Sequence, residues 1–217
     1  MYGRITGYDG EALYITAPFS DAWVLEKQGV TETEIRLIDG RALSPAQRKK
    51  LYALFRDISL YTGHTTEETK DFLKTDFLAR TGAEEFSLSD CDMTTARLFI
   101  DHVIAMCLKH DIPCRDSLLD RAEDIARYLY LCLAHRKCCI CGKTAHVHHV
   151  DRIGMGANRN EICHEGYQAM ALCWKHHREA HEKPRDAFNG LYHVFGIKLD
   201  GFLCKKLKLG KRRKAVS

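Results

Sequence analysis

The sequence predicts an α+β fold: a small N-terminal sheet with a helical domain, followed by a zinc-stabilised strand–strand–helix finger at the C-terminal end. Three observations carry that prediction. Short apolar runs broken by glycines fill residues 1–43, apolar residues then recur at helical spacing to residue 134, and cysteines and histidines crowd into residues 138–181. Hydrophobic residues make up 45% of the 217, enough for a real core in one large domain or two small ones. No apolar run reaches the ~18 residues that a membrane helix needs, and MYGRITGYDG is not a charged-then-apolar leader. The expectation is a cytoplasmic protein without a membrane partner. Ten cysteines would staple a small secreted protein, but six follow residue 137 and two of their spacings suit a metal knuckle, which favours reduced thiols.

Taken in order, Ile5, Leu13, Tyr14, Ile15, Trp23, Val24, Leu25, Ile35, Leu37 and Ile38 suggest a small antiparallel meander. Ser44-Pro45-Ala46-Gln47 is a helix start, with serine at the cap and glutamine reaching back to it. That helix turns Leu51, Leu54, Phe55 and Ile58 to one face and stops near Gly63. A second helix, capped by Thr65 or Thr66, presents Phe72, Phe77 and Leu78 and ends at Thr81-Gly82. The third, preceded by several caps in residues 87–92, turns Ala96, Phe99, Ile100, Val103, Ile104 and Leu108 inward until Ile112-Pro113 breaks it. A fourth is expected over residues 118–134, leading straight into the first cysteines. Nothing before residue 135 resembles a catalytic constellation: His64, His102 and His110 are isolated.

The net charge of +4 conceals a division. Residues 135–217 hold 17 Lys/Arg against 7 Asp/Glu, a balance of +10, while residues 1–134 hold 16 against 22, or −6. A cationic half beside a metal site suits a polyanion, because each phosphate contact releases condensed counterions. Lys205, Lys206, Arg212 and Arg213 in the basic C-terminal stretch are the expected contacts.

Structural zinc wants four ligands delivered as two short-spaced pairs. Cys138 with Cys141, and Cys173 with His176, meet that need. Cys138 is chosen over Cys139 because only it stands two residues clear of Cys141, and Gly142 supplies the tight turn. His148 and His149 fall on a short alternating strand, residues 145–150, and so point to opposite faces. His177 and His181, four apart on a helix from about Trp174 to Glu182, share one face. One tetrahedral ion cannot use them all, so two metal sites are expected within a ββα-metal finger. Beyond it, Pro184 starts a helix whose Phe188, Leu191 and Tyr192 pack back, ending at Gly196, and residues 201–209 form a last short helix with lysines outward.

The motifs C-x-x-C-G (138–142), V-H-H-V (147–150) and A-L-C-x-x-H-H-x-x-x-H (171–181) resemble the HNH, or His-Me finger, endonucleases that carry a zinc knuckle. The resemblance implies His149 as general base and His148, His177 and His181 as ligands of one catalytic divalent ion, Mg, Mn, Ni or Zn. The family commonly has an asparagine where this chain has Gln168, whose amide sits one carbon further out. Arg159 is the leading candidate for a second cation at the phosphate, with Arg152 and Arg178 close behind. The chain at large is similar to HNH nucleases of phages of Gram-positive hosts, through residues 152–159, 192–199 and 41–48. Residues 41–48 and 86–90 are also faintly similar to phage recombination mediators of the Orf type, which bind single-stranded and branched DNA. The implied organisation is an α+β domain at 1–134 for DNA-structure or partner binding, a nuclease domain at 135–200, and a basic helix and tail at 201–217. The implied function is DNA cleavage in recombination or replication in the cytoplasm of an infected host, alongside recombination proteins. Its rival is a zinc-stabilised DNA-binding accessory protein that does not cut.

Overall fold

Among the described residues, every helix but Trp174–Glu182 and Arg185–Tyr192 starts at a short polar side chain that accepts a hydrogen bond from an otherwise orphaned amide. The computed structural model describes residues 3–18, 35, 41–151 and 162–210. Helix α1, Pro45–Thr62, opens with a reciprocal capping box: the Gln47 amide donates to Ser44 Oγ at 3.1 Å, and the Ser44 amide to Gln47 Oε1 at 3.1 Å. Gly63 closes it in the left-handed region at φ 80°. Helix α2, Thr66–Thr81, repeats the device with Thr65 and Glu68. Its buried face is Thr69, Leu73 and Phe77, one turn apart each. Phe72, expected inward, is 63% exposed, because Leu73 is the residue in register with Phe77. Helix α3, Met93–His110, is capped by Asp92, and all six of its expected inward residues are buried.

One expectation needs correction here. The single fourth helix is two: α4, Leu118–Arg121, and α5, Ile125–His135. Ala122 is extended, and the Asp124 carboxylate accepts from the Arg127 amide at 2.9 Å, so a local cap interrupts an apolar period that continues across it. At the N-terminus, among the described residues, the expected meander is represented by an antiparallel hairpin, β1 (Arg4–Tyr8) with β2 (Leu13–Thr16). Ile35 is exposed and not in a strand, whereas Trp23, Val24, Leu25, Leu37 and Ile38 lie outside the described residues.

Phe99 anchors the helical core, its ring 5.3 Å from Phe77, 5.5 Å from Phe86 and 5.9 Å from Phe55. Burying each such ring contributes about 1.5–3 kcal/mol. A buried ion pair, Arg121 to Asp57 at 2.6 Å, ties α4 to α1. Helix α5 then links the halves: it packs on α3 on one side, and on the finger's strand β4 (Gln168–Leu172) and helix α8 (Gly201–Leu207) on the other.

The finger's sheet has the order β3-β4-β5, all antiparallel. Strand β3, His146–His149, pairs with β4 so that His148 faces Met170 and His149 faces Ala169 across the ladder. Helix α6, Trp174–Glu182, leaves β4 after one residue and packs on both strands. Helix α7, Arg185–Tyr192, buries Phe188 but leaves Leu191 56% exposed, contrary to expectation. It ends at His193 in the left-handed region, short of Gly196, because the chain turns there to add the unexpected two-residue strand β5, Ile197–Lys198. Gly196 allows that return: a Cβ there would lie 2.8 Å from Val150 Cγ2 and 3.1 Å from Gln168 Cβ. Among the described residues, no helix is long and apolar enough to cross a membrane.

Candidate functional site

The first ligand group grows from a tight turn and a strand end. Gly142, at φ 70°, lets its amide donate to the Cys138 carbonyl at 2.8 Å, which folds Cys141 back beside Cys138. The Cys139 amide donates to the Ala171 carbonyl at 3.0 Å, docking this turn on β4, where Cys173 ends the strand and starts α6. His176, one turn into the helix, completes the group. Cys138 Sγ lies 3.3 Å and Cys173 Sγ 3.4 Å from His176 Nδ1, and Cys141 Sγ lies 3.7 Å from Cys173 Sγ. Tetrahedral zinc with 2.3 Å sulfur and 2.0–2.1 Å nitrogen bonds places such atoms about 3.5–3.8 Å apart. These four side chains could therefore hold a zinc ion. Cys139 is not among them: it is buried in the core, where its carbonyl accepts from the Tyr128 hydroxyl at 3.1 Å. Burial pushes the Cys138 thiol up to about 12 and that of Cys139 above its ordinary value.

A second group lies on the other side of the same helix. His148 from β3 and His177 and His181 from α6 form a near-equilateral triangle, each pair of ring centroids 4.9 Å apart. His181 Nε2 lies 3.2 Å from His177 Nε2, within the about 3.0–3.4 Å expected of two nitrogens sharing one ion at 2.1 Å. His148 is buried, and its Nδ1 has no hydrogen-bond partner among the described residues. Burial, then the neighbouring His177 and His181, lowers its pKa to about 4, keeping it in the neutral form that binds metals. Three imidazoles, one of them exposed, could hold a divalent ion and still leave positions for other ligands.

His149, next to His148 but turned away from it by the strand's alternation, meets a residue that sequence reasoning missed. Its Nε2 lies 2.8 Å from Nδ1 of His164, which is 2% exposed. Arg185, also not singled out from sequence, donates to the Val150 carbonyl at 2.7 Å and lies 4.0 Å from Asp151. Gln168 opens β4: its carbonyl accepts from the Val150 amide at 2.8 Å, and its amide donates to Asp151 Oδ2 at 2.6 Å. Both contacts are made by the Gln168 backbone, so they hold the strand end beside His149 without using the side-chain amide. Arg178 is exposed and faces Glu182 at 3.4 Å, and Lys205 and Lys206 are exposed on α8. Arg152, Arg159, Arg212 and Arg213 lie outside the described residues.

Two antiparallel strands, a helix that leaves the second of them, and two separate ligand groups define a ββα finger able to bind metal. The family described as "Putative HNHc nuclease" matches residues 18–210, and the chain belongs to it. No curated protein and no solved structure matches the chain.

Proposed function

We propose that this protein is a metal-dependent DNA endonuclease that hydrolyses phosphodiester bonds. The observation that carries the reading is the convergence of His148, His177 and His181 into an open triangle beside a further histidine, His149, on the same strand. Cys138, Cys141, Cys173 and His176 would hold a structural zinc, which would fix the start of α6, the helix that carries His177 and His181. His148, His177 and His181 would hold a divalent ion, Mg, Mn, Ni or Zn, which would supply positive charge to offset that developing on the phosphate and its leaving group. His149 takes the proton from the attacking water, a role that a positioned imidazole commonly fills. Arg185, close to the end of β3, joins Arg159, Arg152 and Arg178 as candidate cations for a phosphate, and Lys205, Lys206, Arg212 and Arg213 add positive charge for the DNA backbone. Gln168 steadies the floor under the base through its backbone.

The recombination or replication setting in a phage-infected cell, with branched or single-stranded DNA as substrate, rests on the resemblance of residues 41–48, 86–90 and 152–159. The test is direct. Chelator-treated protein resupplied with each of the four ions is given supercoiled plasmid, single-stranded DNA and a four-way junction. Nicking with at least one ion supports the reading. Binding without cutting under every ion assigns the protein to the accessory class instead.

A further inference from the structure

Two imidazoles 2.8 Å apart share one hydrogen bond, so one ring must donate and the other accept. The direction decides what His149 can do. If His149 donates from Nε2, its basic lone pair is on Nδ1; if His164 donates instead, His149 carries its proton on Nδ1 and its only lone pair is engaged by His164. Only the first arrangement leaves His149 a base.

We propose that His164 is a positioning residue: its Nδ1 accepts from His149 Nε2–H, which fixes the tautomer and ring angle of His149 for proton abstraction at Nδ1. This rests on the nuclease reading above and deepens it. When water attacks phosphorus, its proton passes to His149 Nδ1, the new P–O bond forms and the bond to the 3′ oxygen breaks, its electron pair leaving with an alkoxide that takes a proton from solvent. The imidazolium that results keeps its Nε2–H on His164, in a bond made stronger by the charge. Stabilisation that grows in this way acts on kcat more than on KM.

His164 is built to serve as a fixed acceptor. Its carbonyl accepts from the Tyr167 amide at 3.2 Å, the Gly166 amide donates to the Leu199 carbonyl at 2.8 Å, and the Leu199 amide returns to Tyr167 at 2.9 Å, so the turn bearing the ring is laced to the chain after β5. The far edge of the ring is covered by Gly210. A Cβ on that residue would stand 2.6 Å from His164 Cδ2 and 1.9 Å from the Ile162 carbonyl oxygen, so only glycine lets the backbone close over the ring. The two rings meet at 49°, with centroids 4.9 Å apart, which excludes stacking as the reason for their contact.

The experiment compares cleavage by full-length wild type, His164→Leu, which keeps bulk but loses the acceptor, and His164→Asn, whose side-chain oxygen can stand where Nδ1 does. His164→Leu should lower kcat by about 10²-fold or more, the scale of general-base catalysis, with KM, metal content and melting temperature near wild type. His164→Asn should recover at least about tenfold of that loss. In parallel, nitrogen-15 spectra of histidine-labelled wild type should show a protonated Nε2 on His149 and a bare Nδ1 on His164, a readout that needs no variant to fold. Equal kcat for His164→Leu and wild type, an Asn variant no better than Leu, or a protonated His164 Nδ1 would overturn the proposal. A wild type that never cuts rejects the nuclease reading itself, whereas a cutting wild type matched by His164→Leu rejects only the positioning role.

Discussion

Replacing Cys138 by serine should do far more than remove one thiol. Cys138 is fully buried, its amide donates to the Lys143 carbonyl at 2.7 Å, and the adjoining Cys139 amide holds the turn to β4. A structural zinc contributes about 10–16 kcal/mol of apparent binding energy, whereas a whole domain is stable by only about 5–15 kcal/mol. Losing the zinc proposed for this group therefore removes as much as the finger has. The damage should spread, because Cys173 and His176 start the helix that carries His177 and His181. In contrast, His181 is exposed near the end of α6, and His181→Ala should change stability by no more than about 0.5 kcal/mol, or roughly 2 °C in Tm. Elemental analysis and thermal melting followed by circular dichroism read both effects. Cys138→Ser should lose zinc and the finger's melting transition, and His181→Ala should keep both. A Cys138→Ser protein with wild-type zinc and melting, or a His181→Ala protein stripped of its zinc, would refute the division into two sites.

Other consequences follow from the helical half. Asp57→Ala removes one of the two carboxylates paired with the Arg121 guanidinium, leaving Asp116 at 3.0 Å, and should cost about 1.5–3 kcal/mol, lowering Tm by roughly 3–12 °C in thermal denaturation. Phe99→Ala removes the ring shared by Phe55, Phe77 and Phe86 and should cost about 3–5 kcal/mol in urea unfolding. His102 has its pKa lowered by burial first and by Arg80, against the opposing pull of Asp76. The unfolded chain therefore binds more protons than the native one just below the ordinary histidine value of about 6.5, and stability is full above that pH and falls as pH drops through it. His102→Gln should flatten the decline between pH 7 and 5 measured by urea titration, and an unchanged slope would remove His102 as its cause.

What was legible in the sequence was what is local. The capping box at Ser44 and a threonine cap at Thr65 or Thr66 are decided within four residues; the structure closes the first as expected and places the second at Thr65, with Glu68 reaching back to it. The Cys/His pairs that could hold metal were legible for the same reason: each pair sits within one turn of chain, and the structure brings them together. Asp124 shows where this fails, because an apolar period runs unbroken through Leu119, Ala122, Ile125 and Leu129 and hides a cap that splits the helix. Strand β5 has two residues, too few to display any alternation. His164 left no trace at all: an isolated histidine in a turn acquires its place beside His149 only when β4 and the chain after β5 are laced together. Arg185 is legible only as a helix-start residue until its reach to Val150 is seen.

The measurement closest to the central claim is single-turnover cleavage of plasmid DNA by wild type and His149→Ala, with metal content and DNA affinity determined on the same preparations. The account predicts nicking by wild type in the presence of a divalent ion. It also predicts a loss of about 10²- to 10⁴-fold in His149→Ala, with both metal groups filled and binding unchanged. Cleavage at the wild-type rate by His149→Ala, or none by metal-loaded wild type, would contradict it.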